Sequence, residues 1–291
     1  MHTLTYLSDP DLAGLYWPAV VTGLAIATLC SLLSVLVVLK RLAFIGQGIS
    51  HAAFGGVGVA AVLGLVGSTA AAATAGQFLV VLAFCMLAAL LIAWLSERGG
   101  TEADTAIGIV LVGAMALGAI LLHQAQGRGA VVSVETFLFG DILSVGWADA
   151  VIGWAVAAGV FAALWYTRRR LIFWTFDQTV ARALGVSDRA MNTLLMILLA
   201  LATVTAMKLA GVVLATAMLV LPGAVALRLS HRSGPVMALA VVAALAGVLG
   251  GLLLSFELNW PTGASIVGVL AGLFAVARLI EVIRGGRAVA G

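Results

Sequence analysis

Phe44-Ile45-Gly46-Gln47-Gly48-Ile49-Ser50-His51-Ala52-Ala53-Phe54-Gly55-Gly56 sets two polar side chains into an apolar, glycine-rich stretch. Gln47 and His51 are four residues apart, so on a helix they share one face, one turn apart. The stretch follows Lys40-Arg41 and stays apolar to about Val66. With the basic pair at a membrane boundary, His51 lies about ten residues, or about 15 Å, into a hydrocarbon core of about 30 Å. Polar groups at that depth are costly unless they line a cavity or meet partners. Gly48, Ala52, Gly56 and Ala60 form a small-residue ridge beside that face, suited to close helix contact.

Composition agrees with a membrane setting. The 291 residues are 63% hydrophobic and 9% charged, with a mean hydropathy of +1.20. Soluble chains carry roughly a quarter charged residues. Cys30 and Cys85 both fall inside apolar runs and offer neither metal spacing nor a disulfide framework. The net charge of +3 does not indicate nucleic acid, because the basic residues sit at the ends of apolar runs, where they set topology. Residues Met1 to Pro10 lack a basic start and do not read as a cleaved signal peptide.

Working outward, apolar runs are expected at about 17–39, 43–66, 77–95, 105–122, 147–166, 190–207, 212–229, 236–256 and 261–283. The joint between the sixth and seventh runs is only Lys208 to Gly211, and Pro222 is expected to kink the seventh or to mark a re-entrant break. The fold class is therefore an all-α polytopic membrane protein with about eight to nine transmembrane helices, read as one transmembrane domain over 1–291. With the N-terminus outside and the C-terminus cytoplasmic, every one of the 15 lysines and arginines except Arg128 and Lys208 lies at or near a cytoplasmic end.

Between the fifth and sixth runs, Leu171 to Arg189 is amphiphilic and too polar to span, and within it lies Phe176-Asp177-Gln178-Thr179-Val180-Ala181-Arg182-Ala183-Leu184-Gly185-Val186. Asp177 has the character of an N-cap and Gly185 of a C-terminal stop, giving a helix of about two turns. Physics alone leaves it a connector or an interaction device. Imidazole suits zinc, copper, iron and nickel, yet His51 and Gln47 by themselves fit interhelical hydrogen bonding equally well. His2 and His231 read as solvated, and His123, Glu135 and Asp141 read as a wet external loop. Asp104 and Glu102 fit the electrostatics of a helix N-terminus.

These residues, taken together, resemble the membrane permease subunits of zinc, manganese and iron ABC importers. The similarity runs from about Lys40 to Val282. It rests on Lys40-Arg41 with Gly46 to Ala52, on Asp104 to Ile109, and on Phe137-Leu138-Phe139-Gly140-Asp141-Ile142-Leu143. It rests also on Phe176 to Gly185, on Lys208 to Ala226 with Leu221-Pro222-Gly223-Ala224, and on Leu258-Asn259-Trp260-Pro261-Thr262-Gly263-Ala264. The family pattern has Asp and His four residues apart in the second span; here His51 is kept and Gln47 replaces the Asp.

The resemblance implies a permease in the bacterial cytoplasmic membrane moving Zn2+ or Mn2+, with iron also a possible cargo, and binding no permanent cofactor. It implies that His51 and Gln47 contact the passing metal. Asp177, Ala181 and Gly185, within a coupling helix at about 176–186, would dock an ATPase. The implied partners are a second copy of the chain, a cytoplasmic ABC ATPase, an extracytoplasmic metal-binding protein and membrane lipid, with no nucleic acid. No phosphate-binding Gly-x-x-x-x-Gly-Lys-Ser/Thr loop is present, so the chain is expected to be a transport subunit and not an enzyme. The rival readings are a permease for an iron chelate and a stand-alone secondary carrier.

Overall fold

The computed structural model describes residues 10–66, 71–98, 100–126, 145–176, 178–230 and 232–289. Among them every regular element is a helix, without strands. The helices are α1 Pro10–Leu39, α2 Ile45–Val62, α3 Ala71–Arg98, α4 Ala103–Gln126, α5 Trp147–Phe176, α6 Gln178–Ala183, α7 Asp188–Met218, α8 Leu221–Leu229, α9 Ser233–Leu258 and α10 Thr262–Val289. Eight helical stretches are long and apolar enough to cross a membrane.

The difference between nine apolar runs and eight stretches lies in one place. Asp188–Leu229 counts as a single stretch of 42 residues, about 63 Å of helix and about twice the bilayer core. Gly211 breaks it with φ 83 and ψ 167, a backbone conformation open to glycine and strained for other residues. A second break precedes Leu221: Val220 leaves helical geometry, and Pro222 stands in the first turn of α8. Proline lacks an N–H, and there the missing donor costs nothing. Pro222 thus opens a helix instead of bending one.

The described residues fall into two compact units, each interleaved in sequence. One comprises the described parts of Met1–Ala43, Leu138–Ala162 and Ala206–Gly291. Here α8 packs on α1, α9 and α10, and α9 packs on α1 and α10. Val35, Ala226, Val236 and Ala240 form one buried cluster, and Val225, Ala243 and Ala277 another.

Contacts inside this unit fix the chain's direction. A Cβ on Gly153 would lie 3.2 Å from Leu209 and 3.4 Å from Ala25. A Cβ on Gly223 would lie 2.5 Å from the Ser34 backbone. From Leu209 to Gly223 the chain therefore travels alongside α1 in the same direction as α1. Helix α9 runs the opposite way: its end meets the start of α1, where Phe256 and Tyr16 stack edge-on at 4.9 Å, and its start, at Val236, meets Val35.

The other unit comprises the described parts of Phe44–Phe137 and Ala163–Thr205. Its centre is α2, packed against both α3 and α4, which also touch each other. Gly48, Ala52, Gly56 and Ala60, the ridge expected from sequence, are all buried. A Cβ on Gly56 would stand 2.9 Å from Val81 Cα, and one on Gly118 would stand 2.7 Å from the Phe54 carbonyl. The Cys85 thiol donates to the Ile49 carbonyl at 3.6 Å, a weak tie between α3 and α2.

Two sequence boundaries move. Helix α5 does not end at Arg168-Arg169-Arg170 but continues to Phe176. Three arginines end a run of hydropathy, yet arginine is a good helix former and no Gly or Pro interrupts. Helix α3 starts at Ala71, earlier than 77, because Ala71-Ala72-Ala73 is strong helix sequence. The 137–143 motif lies outside the described residues, as do Asp177, His2 and His231.

Candidate functional site

The turn into α2 is tight. The Leu42 N–H donates to the Val37 carbonyl at 2.9 Å and the Arg41 N–H to the Val38 carbonyl at 3.1 Å, while Arg41 takes a left-handed φ of 57. These bonds satisfy orphan carbonyls at the end of α1 in the manner of a Schellman stop. Helix α2 begins at Ile45, only a few residues later, which puts Gln47 in its first turn and His51 in its second.

The two faces of α2 differ sharply. Gly46, Gly48, Ile49, Ser50, Ala52, Ala53, Gly55 and Gly56 are buried against the helix pair α3 and α4. Gln47 is exposed and His51 is half-buried. The face that carries them is therefore not sealed inside the chain's own packing. Beside His51, the Ser50 hydroxyl is buried and lacks a hydrogen-bond partner among the described residues. The site is neutral, with an imidazole and a carboxamide oxygen as its two donors of metal-binding type. Among the described residues no three His, Cys, Asp or Glu side chains gather to hold a metal ion.

The second predicted element is α6 with its flanks. Gly185 has φ +78, and its N–H donates to the Arg182 carbonyl while the Val186 N–H donates to the Ala181 carbonyl, both at 2.9 Å. Gly185 thus performs as the stop that its sequence position indicated. Ala181 faces inward. It is fully buried, whereas Val180 is 47% and Leu184 65% exposed. The outward face of this turn is Val180, Leu184 and Gly185, and Ala181 holds the turn against its own chain.

Sequence reasoning missed the polar contacts that seat this turn. Arg182 pairs with Asp188 at the first position of α7. Glu97, near the end of α3, accepts a hydrogen bond from the Asn192 amide at 2.6 Å and lies 3.5 Å from the Arg189 guanidinium. Partners 95 residues away in sequence leave no local signal. In the other unit, Lys208 pairs with Asp149 at 3.2 Å, and the Trp154 indole N–H donates to the Val21 carbonyl at 3.2 Å.

The chain is similar to known proteins over nearly its whole length. The family model "ABC 3 transport family" matches residues 14–281. The manganese transport system membrane protein MntC of Halalkalibacterium halodurans is 32% identical, the alignment covering 95% of this chain and 91% of that protein. The high-affinity zinc uptake system membrane protein ZnuB of Haemophilus influenzae is 27% identical, covering 89% and 94% respectively. Among solved structures, PsaBC from Streptococcus pneumoniae in complex with Fab superposes with a TM-score of 0.78 at 28% identity, over 94% of this chain and 95% of that one.

Proposed function

Because the chain belongs to the ABC 3 transport family, we propose that it is the permease subunit of an ATP-driven importer for a divalent transition metal. Zinc and manganese are the first candidates, from the cargo named for MntC and ZnuB, and iron is the next. The observation that carries the reading is the asymmetry of α2. One face is locked by glycine contacts, and the other holds Gln47 and His51 outside the chain's own packing.

In this reading two copies of the chain face each other, so that two His51 imidazoles and two Gln47 carbonyls surround one pathway. Such a set is uncharged and binds modestly, which suits a conduit that must release its cargo. The N-terminus lies outside and the C-terminus in the cytoplasm of a bacterial inner membrane, following the positive-inside rule. The whole chain, 1–291, then serves as one permease domain. Asp188–Leu229, broken at Gly211, is long enough for two crossings. ATP hydrolysis belongs to a separate cytoplasmic ATPase that meets the Val180, Leu184 and Gly185 face. Asp177 belongs to the same docking segment. An extracytoplasmic metal-binding protein delivers the ion.

The test is reconstitution with the ATPase and the metal-binding protein in vesicles. The proposal predicts ATP-dependent uptake of the free divalent ion. A response to a metal chelate alone, or gradient-driven flux through this chain without the ATPase, would sink it.

A further inference from the structure

We propose that Glu97 is a positioning residue that fastens the α6 turn to the helices carrying His51. The proposal rests on α6 being the ATPase-docking element and adds how its position reaches the metal path.

The contacts form one continuous line inside a single compact unit. At the end of α3, Glu97 uses both carboxylate oxygens on two different side chains. Oε1 accepts from Asn192 at 2.6 Å, and Oε2 faces Arg189 at 3.5 Å. Arg189 and Asn192 are three residues apart in the first turns of α7, so they present one face. The residue just before Arg189 is Asp188, which pairs with Arg182 of α6. Helix α6 is thereby tied to the start of α7, and the start of α7 to the end of α3.

About twelve residues, or about 18 Å, back along α3 lie its contacts with α2. Gly55 and Gly56 allow Phe84 and Val81 to approach so closely that an added Cβ would stand 2.7 Å and 2.9 Å from them. The Cys85 thiol bonds to the Ile49 carbonyl there, two residues before His51. A helix is stiff over such a length, and packed interiors do not deform smoothly. Displacement of α6 is thus carried along α3 to the backbone of the His51 helix. Glu97 is the side chain at the end of α3 that ties it to the start of α7. Exposed ion pairs contribute little to global folding, so the effect is expected in the local opening of α6 and in coupling, not in the stability of the whole fold.

The experiment uses the complete complex of permease, ATPase and metal-binding protein in vesicles, comparing Glu97→Lys with the wild type and with Glu97→Lys combined with Arg189→Glu. Two quantities are read: amide hydrogen exchange over 178–186 and zinc or manganese ions moved per ATP hydrolysed. In Glu97→Lys, exchange in that segment should rise about tenfold, local opening being governed by few contacts. Ions moved per ATP should fall about fivefold while ATP hydrolysis continues, and the charge-swapped double variant should recover both to within about twofold. Glu97→Gln, which keeps the Asn192 bond and removes the charge, should show smaller changes in the same directions should the lysine variant assemble poorly. Unchanged exchange, unchanged ions per ATP, or a double variant as impaired as the single would each overturn the proposal. Leu184→Arg separates the two readings. If it still binds the ATPase, the docking assignment fails, whereas the exchange measurement continues to decide whether Glu97 holds α6.

Discussion

Helices α2 and α8 are built on the same device and do different things. Each brings a glycine so close to a neighbouring backbone that a methyl group would not fit: Gly56 against Val81, and Gly223 against Ser34. In membranes, such small-residue contacts stand in for the hydrophobic effect, which gives helices little reason to associate in lipid. Helix α8 serves packing. Pro222, Gly223, Val225 and Ala226 are buried, and its one charge, Arg228, is paired with Glu281 at 3.2 Å. Helix α2 packs equally tightly but leaves Gln47 exposed and His51 only half-buried on a face that the chain covers in part. Close packing is therefore scaffold in both helices. What sets α2 apart is a polar face held rigidly and left partly uncovered by its own chain.

The contrast can be broken from the packing side first, where the largest effect is expected. Gly223→Leu forces a side chain into the Ser34 backbone, and overpacking of this kind costs about 1–3 kcal/mol or more; detergent-extracted yield and melting temperature should collapse. On α4, Gly118→Ala should destabilise, because its Cβ would lie 2.7 Å from the Phe54 carbonyl. Gly113→Ala on the same helix meets nothing within 4 Å and should leave melting unchanged or raise it by the helix preference of alanine, about 0.5–1 kcal/mol. Equal behaviour of the two would remove the close-approach explanation.

The polar face gives the next effect. Gln47→Asp returns a carboxylate to the site and should tighten zinc or manganese binding about tenfold, the equivalent of about 1.4 kcal/mol, read as a lower half-saturating metal concentration in stimulated ATP hydrolysis. No change, with the protein assembled, would mean that Gln47 does not touch the ion. The smallest effect belongs to the paired charge of α8. Arg228→Gln removes an exposed ion pair, so thermal stability should move by less than about 1 kcal/mol and uptake should be nearly unaffected.

Much of this arrangement is legible in the sequence, for reasons that differ by region. Apolar runs of bilayer length announce the spanning helices, because lipid forces each backbone to satisfy itself. The buried ridge Gly48, Ala52, Gly56 and Ala60 follows from helical period alone. Gly185 as a stop is legible because a left-handed residue after a short helix selects glycine. The continuation of α5 through Arg168-Arg169-Arg170 is not legible, since hydropathy reports where a membrane ends and not where a helix does. The burial of Ala181 was not legible, because six residues carry too little periodicity to fix a face. The partners of Glu97 were invisible, as they depend on how α3 and α7 meet in space.

The central claim is that His51 meets the travelling ion while belonging to no structural bond network that the fold needs. Uptake of zinc and manganese by vesicles holding the full complex, wild type against His51→Ala, tests it most directly. The account predicts that His51→Ala loses nearly all ATP-dependent uptake while keeping its melting temperature, its assembly and its grip on the ATPase. Uptake at the wild-type rate, or loss of uptake only in step with loss of folded protein, would return His51 to an ordinary structural histidine.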